Sequence, residues 1–500
     1  MTTVLHRQGN PLAWTQYGRS VIAPIPPSPT PWLPFDMPNR SVLAASGKWV
    51  LAHYFPTFPV AIGSGDYWTK WMPPGEVEGS TDHRVYGGYV RDRKPNDTDR
   101  TGNFDRRMKL AECIAARDAG LDGFTLEMVS ITSGNSFRTR CENLLGAVED
   151  MGDPTFRVIP MPDGNTAATS SAVSLGDYLA TIASRSSIFR NASGRMLLTA
   201  FGPEKAPNKV GTGGSAAATF WQQVLARLST LGHPTDFMPC YVNSWTATAQ
   251  APSFDSISWG HSRWGDRDPA NNANETNNNR NAPAYCRATF GKKWMHWASP
   301  QDVRPYSGSW WEAHGSRALH EAFRAAIDGG ADFIQIPTWD DFSESAFICP
   351  TVDSGNTWLD LVSYYTTWFK MGAAPTIMRD AIYLFHRKHL TTGATFTSAF
   401  QTEFHDPVSG GTSAKNDIEA RVFLTEDADV EILIDGVVQG GAQACTAGMT
   451  SVTRPLAEGV VSARIVRDAV TVASVTSPHE VNQTQLVQDF VYRGVSSLRS

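Results

Sequence analysis

One rhythm restricts the fold of this chain more than any other feature. From residue 48 onward, eight short apolar segments recur, each ending in polar or aromatic residues. They are WVLAHYFP (49–56), GFTLEMV (123–129), FRVIPMPD (156–163), RMLLTAFGPE (195–204), DFMPCYVNSW (236–245), SISWGHSRW (256–264), KWMHWASPQ (293–301) and FIQIPTWDD (333–341). Near-continuous apolar runs of this length are the mark of parallel strands covered on both faces. Between them lie stretches with apolar residues at i, i+3 and i+4, seen over 104–119, 174–190, 216–231 and 316–329. Twice a helical stretch ends in AG or GG, then Asp, then a strand (ARDAGLDGFTL and AIDGGADFIQI). Glycine at that point stops a helix. Eight strand–helix units predict an α/β chain whose residues 48–375 form a (β/α)8 TIM barrel. An open, doubly wound sheet is the rival, disfavoured because no Gly-rich phosphate loop follows the first strand.

The flanks read differently. Residues 1–47 lack periodicity, and PIPPSPTPWLP (24–34) cannot be helical, so an extended Pro-rich arm is expected there. Beyond 375 the pattern alternates with period two, in AIYLFHR (381–387), EARVFLTE (419–426), DVEILIDG (429–436) and VVSARIVR (460–467). That pattern, with a hairpin turn at IDG, predicts an antiparallel β-sandwich and tail over 376–500. Two long segments, 57–103 and the Asn-rich 265–290, follow strands 1 and 6 and are expected as loops at the C-terminal mouth of the barrel.

Composition excludes more than it selects. A net charge of −6 gives no basic surface for nucleic acid. No stretch approaches 18 apolar residues, so no helix spans a membrane, and MTTVLHRQGNPLAW at the start has no apolar signal region. The six cysteines form no C-x-x-C pair. Buried thiols are expected, with one or two disulfides left open. No metal or cofactor is implied. The 16 Trp residues suit flat sugar faces, although core packing accounts for most tryptophans in any protein.

In a barrel the chemistry sits at the C-terminal ends of the strands. Acids there are Glu127, Asp163, Glu204 and the cluster Asp340, Asp341 and Glu344. Asp341 and Glu344 stand three apart, so both can point into one cleft. Glycoside hydrolysis needs one carboxyl to protonate the leaving oxygen and a second to attack or to activate water. The bland alternative is that D-x-x-E caps a helix. Asp341, Glu344, Asp163 and Glu127 are therefore the candidate catalytic residues. Candidate substrate contacts are His53, Tyr241, Trp259, Trp264, Trp339, Asp340 and Glu204, with Trp68 and Trp71 as further aromatic platforms. For His53 the alternative is a hydrogen-bonded core histidine, and for Glu204 a salt-bridged rim residue.

Several of these motifs resemble glycoside hydrolase family 71, the α-1,3-glucanases. TWDDFSES (338–345), followed by FICP, resembles the family's Trp-Asn-Asp-Tyr-Gly-Glu-Ser motif at strand 8. WVLAHYFP resembles its aromatic first strand, LDGFTLEMV its second, SISWG its Ser-Trp-Gly, and IYLFHRKH the opening of its β domain. The resemblance covers roughly 48–440. It implies a polysaccharide substrate, Asp341 and Glu344 as the essential carboxylates, and inversion. Departures are Asp340 for Asn, Ser343 for Gly, and Glu127 for the second-strand Asn. An extra carboxylate near the site would shift the acid's pKa or the subsite preference. Family 99, the endo-α-mannanases, shares a similar His-Tyr opening strand. QTQLVQDFVYRGVSSLRS (483–500) resembles the end of actinobacteriophage minor tail proteins. That likeness implies a virion location with other tail proteins as partners, and leaves a non-catalytic glycan-binding adhesin as the alternative to an enzyme.

Overall fold

A computed structural model describes residues 32–56, 85–94, 101–207, 214–242, 244–274, 280–396 and 400–499. All eight apolar runs are strands: β1 (Trp49–Tyr54), β2 (Gly123–Met128), β3 (Arg157–Pro162), β4 (Met196–Phe201), β5 (Thr235–Tyr241), β6 (Gly260–Arg263), β7 (Lys293–Trp297) and β8 (Phe333–Ile336). They form one parallel sheet in the order β3-β2-β1-β8-β7-β6-β5-β4. Strand β8 pairs with β1 in register Trp49↔Phe333, which is the closure a barrel requires.

The remaining seam, between β3 and β4, closes in two ways. At the top a single bridge joins Asp163 to Phe201, with Gly164 N–H donating to the Phe201 carbonyl at 2.8 Å. Lower down, Ile188 bridges Val158, and Phe189 N–H donates to the Val158 carbonyl at 2.9 Å. This wedge is why the helix expected over 174–190 stops at Ala183. The serine-rich stretch after it gives its backbone bonds to β3, where a sheet edge would otherwise stand unpaired.

Helices α1 (Phe104–Asp118), α2 (Ser136–Met151), α3 (Ala172–Ala183) and α4 (Gly214–Thr230) follow the first four strands. Between β5 and β6 the described residues hold a four-residue turn, Ala251–Phe254, continued by a short turn at Asp255–Ile257. Helices α5 (Ala282–Phe290), α6 (Arg317–Gly329) and α7 (Thr357–Met371) complete the ring. The Asn-rich 265–290 segment is thus partly helical, through Pro269–Ala273 and α5. No helix among the described residues is long and apolar enough to cross a membrane.

Side chains alternate across each strand. Leu51, Ile159, Leu197, Met238, Met295 and Phe333 plug the lower barrel, while Val50, Ala52, Phe124, Leu126, Ile334 and Ile336 pack outward beneath the helices. Above the plug the interior turns polar: Gln335 Nε2 donates to Thr125 Oγ1 at 2.7 Å, and Cys240 Sγ lies 3.6 Å from Gln335 Oε1.

The C-terminal residues form two antiparallel sheets. One contains β9 (Ala381–His386), β10 (Asp417–Leu424), β12 (Gly448–Pro455) and β15 (Arg493–Ser496), in the order β12-β10-β9-β15. The other is built on β11 (Ala428–Ile434), β13 (Gly459–Arg467) and β14 (Val470–Val481). Ile382 and Leu384 of β9 enter the core between the sheets, whereas Ala381, Tyr383 and Phe385 belong to the barrel's outer core. Phe385 meets the buried Trp358 of α7 at 4.8 Å between ring centroids. Trp358→Ala is accordingly expected to cost about 3–5 kcal/mol. Because β9 belongs to both cores, urea should unfold barrel and sandwich in one transition; two separate transitions would contradict this.

Residues 487–493 run back over the barrel. Gln301 and Tyr492 exchange two bonds, Gln301 Nε2 to the Tyr492 carbonyl (3.3 Å) and Tyr492 N–H to Gln301 Oε1 (2.9 Å). Tyr492 Oη donates to Glu312 at 2.9 Å, and Phe490 and Val491 pack on Val303 and Trp310. The segment that carries residues 301–312 is therefore clamped by residues 487–493.

Candidate active site

The last residues of β1, β2, β3, β7 and β8 converge at the C-terminal mouth. Inward parity puts His53 one turn of the pleat above Leu51, and Glu127 above Thr125. His53 Nε2 lies 3.2 Å from Glu127 Oε2, and its Nδ1 lies 3.3 Å from Thr125 Oγ1. Burial pushes His53 down to about 3, against the pull of Asp341 and Asp163, so the ring is neutral. Burial and then the Asp341 charge raise Glu127 well above the carboxylate range. With the ring proton on Nδ1 facing Thr125, Nε2 is left as an acceptor beside Glu127, whose Oε2 has no hydrogen-bond partner among the described residues; this tautomer is assigned from the bonding pattern. Asp163 is pushed up to about 7 by burial and then by Glu127, although Asn165 donates to its Oδ1 from N–H (2.7 Å) and Nδ2 (2.9 Å).

After β8 the chain makes a hairpin in which Asp340–Asp341 pairs with Ala346–Phe347. Asp341 N–H donates to Thr338 Oγ1 at 2.7 Å. No helix begins here, so D-x-x-E does not cap one. Instead Asp341 Oδ1 accepts from Ser343 N–H (3.1 Å), Ser343 Oγ (2.7 Å) and Glu344 N–H (3.1 Å), which fixes the turn. Burial raises Asp341, and those donors from Ser343 and Glu344 oppose the rise. Among the described residues Glu344 Oε2 has one charged contact, Arg304 Nη2 at 3.3 Å. Burial, then Asp302 and Asp341, push Glu344 up to about 8.

Trp264 is half-buried in this group, edge-on to His53 and to Phe201, with ring centroids 4.7 Å away in each case. Arg267 lies over its ring at 5.7 Å.

The other expected contacts lie elsewhere. Trp259 precedes β6 and sits at the opposite, N-terminal end of the barrel, edge-on to Phe333. It lines a pocket of about 480 Å³ there with Arg195, Gln222 and Asp236. Tyr241 has outward parity: it packs on Phe254 and bonds His261 Nδ1 at 3.0 Å, wholly buried. Trp339 is buried against Phe124 behind β8. Glu204 is buried and accepts from Val242 N–H at 3.0 Å. Trp259, Tyr241 and Trp339 offer no face to the mouth.

Asp340 is also turned away, because its neighbour Asp341 takes the inward place. Its Oδ1 accepts from Phe55 N–H at 2.8 Å and its Oδ2 contacts Lys94 Nζ at 2.9 Å. Lys94 also meets Glu112 at 2.6 Å, and Tyr54 Oη donates to Glu112 at 2.5 Å. Burial opposes the lysine's charge, yet Asp340 and Glu112 hold it above its usual range. The carboxylate where the family motif has Asn is thus the partner of a buried lysine. Trp68 and Trp71 lie outside the described residues.

Three residues of the mouth carry no signal in the apolar runs. Asp302, fully buried, comes one residue after the seventh run, and Arg304 and Arg267 stand on the loops after β7 and β6. Aromatic residues and acids at run ends flag a site; arginines beyond them do not. Among the described residues no group of three or more His, Cys, Asp or Glu is arranged to hold a metal ion, and all six cysteines are free thiols.

A parallel barrel with buried carboxyls at its C-terminal mouth is an arrangement that suits a glycoside hydrolase. The sequence model of glycosyl hydrolase family 71 matches residues 99–492, and the chain belongs to that family. Solved structures with a similar backbone include a family 99 endo-α-mannosidase from Bacteroides thetaiotaomicron (12% identical, TM-score 0.45, covering 65% of this chain and 98% of that one). Others are a glycoside hydrolase-like protein (11%, 0.43, 71% and 99%) and a double mutant of an endo-β-1,4-mannanase from Cellulomonas fimi (12%, 0.36, 71% and 86%). No curated protein matches the chain.

Proposed function

We propose that this glycosidase cleaves an α-linked glucan, α-1,3-glucan first, with inversion, using Glu344 as the acid and Asp341 as the base. The observation that carries the assignment is the inequality of the two carboxyls on one hairpin. Three N–H and O–H donors on Asp341 Oδ1 favour its ionised form, while Glu344 keeps a single, longer contact with Arg304. An ionised Asp341 can take a proton from water, and a protonated Glu344 can give one to the leaving oxygen. Trp264 supplies a ring face for the sugar, and the neutral His53 lies beside it. Glu127 and Asp163, both held toward the neutral form, supply hydrogen bonds to hydroxyls across the cleft.

The choice of linkage rests on the strand-8 motif. We expect reducing ends to be released from α-1,3-glucan, and not from α-1,4-glucan or α-mannan, when the three are incubated with the protein. Release from α-mannan alone would transfer the reading to a family 99-like endo-α-mannanase. Binding without release from any of them would leave a glycan-binding adhesin. The likeness of 483–500 to phage tail proteins supports a virion tail as the setting. Residues 487–493 of that stretch are buried within this chain, so neighbouring tail proteins would meet other surfaces.

A further inference from the structure

Asp302 is buried completely, yet it lies within reach of solvent-facing chemistry through Arg304. Its Oδ1 accepts from Arg304 Nε at 2.8 Å, and its Oδ2 from Arg304 Nη2 at 2.8 Å and Arg267 Nε at 3.1 Å. Arg304 Nη2 is the same nitrogen that reaches Glu344 Oε2, at 3.3 Å. The guanidinium is fixed over the Trp311 ring at 4.8 Å. Val303 N–H donates to the Glu344 carbonyl at 2.8 Å, so the loop after β7 and the hairpin after β8 are tied at the backbone as well.

We propose that Asp302 is a positioning residue that claims Arg304 for itself and so leaves Glu344 as the proton donor of the site. The argument is one of charge. Among the described residues, Glu344 is faced by Asp302, Arg304 and Tyr306 from the segment after β7, by Arg267 from the loop after β6, and by Asp341 on its own hairpin. Two arginines cannot neutralise three ionised carboxylates, so the buried cluster is neutral only when one carboxyl keeps its proton. Asp302 has three N–H donors and Asp341 three donors on Oδ1. Glu344 has one contact, longer than either of the bonds Arg304 gives to Asp302. The proton belongs on Glu344. This inference rests on the two-carboxylate reading above and adds the group that sets the roles within it.

The test uses two substitutions with opposite expected signs. Asp302→Asn frees Arg304 to pair fully with Glu344. The fall of kcat/KM at the alkaline side should then move toward acid by about one pH unit or more. Arg304→Gln removes the cation and should move the same limb toward alkali. A purely structural role for Asp302 would lower activity evenly across pH and leave the limb in place. Limbs within about 0.3 unit of the native one in both variants, or displaced in the same direction, would overturn the proposal. If Asp302→Asn does not fold, Arg304→Gln alone decides by the sign of its displacement. If Glu344→Gln keeps native activity, the acid assignment is what has failed. An infrared titration of the Glu344 carboxyl in native protein and in Arg304→Gln then still reads the coupling.

Discussion

Asp341→Asn and Glu344→Gln should each lower the hydrolytic rate by a factor of about 10² or more while leaving the fold unchanged. Both replacements are close to isosteric. The amide oxygen of Asn can still accept from Ser343 and Glu344 N–H, so the hairpin after β8 keeps its turn. The amide of Gln can still accept from Arg304. What each variant loses is a proton exchange, which no amide performs. Rates on α-1,3-glucan, measured beside circular dichroism and thermal midpoints, separate the two effects. Native-level turnover in both variants would remove these carboxyls from the mechanism and direct attention to Glu127 and Asp163. In the native protein Glu344 must hold its proton and Asp341 must be ionised. Activity should therefore fall as pH rises through about 8, where Glu344 ionises, and fall again in acid as Asp341 is protonated.

Lys94→Met is expected to destabilise the protein by about 3–5 kcal/mol, more than any substitution at the mouth, because it leaves Glu112 and Asp340 buried without a cation. Both carboxylates lie within 2.9 Å of Nζ, and all three side chains are at most 1% exposed. Desolvating one unpaired carboxylate is costly, and two side by side repel each other as well. Adding Asp340→Asn should restore part of the loss. The amide keeps an acceptor for Phe55 N–H and removes one of the two stranded charges. Urea unfolding of the single and double variants gives the interaction by difference. A loss under about 1 kcal/mol for Lys94→Met would show that the cluster is solvated, or protonated already.

The barrel was legible because burial on both faces writes itself into sequence as apolar runs, and all eight runs are strands. His53, Glu127, Asp163, Trp264, Asp341 and Glu344 were placed near one another because strand ends are where a barrel exposes chemistry. Two of the misplaced residues, Tyr241 and Asp340, share a physical reason. Which face a strand residue occupies flips with each step, so an error of one position moves a side chain through the wall. Tyr241 is one step beyond the inward Cys240, and Asp340 one step before Asp341. Trp259 lies in a run whose first residues are not yet strand. Asp302, Arg304 and Arg267 were invisible because nothing in composition or period marks a loop arginine that reaches across two connections.

The clamp of residues 487–493 on the segment 301–312 has a consequence for how the molecule comes into being. In synthesis from the N-terminus, β8 ends at Ile336, so every barrel strand has been made before residues 487–493 are added. The barrel can begin to pack at that stage. Gln301, Val303 and Glu312 gain their contacts with Phe490, Val491 and Tyr492 only once that segment has been made. The cover over the segment that carries Arg304 is thus added after all eight barrel strands have been made. A chain cut before residue 487 would keep Asp302, Arg304 and Glu344 together but lose the apolar cover on Val303 and Trp310.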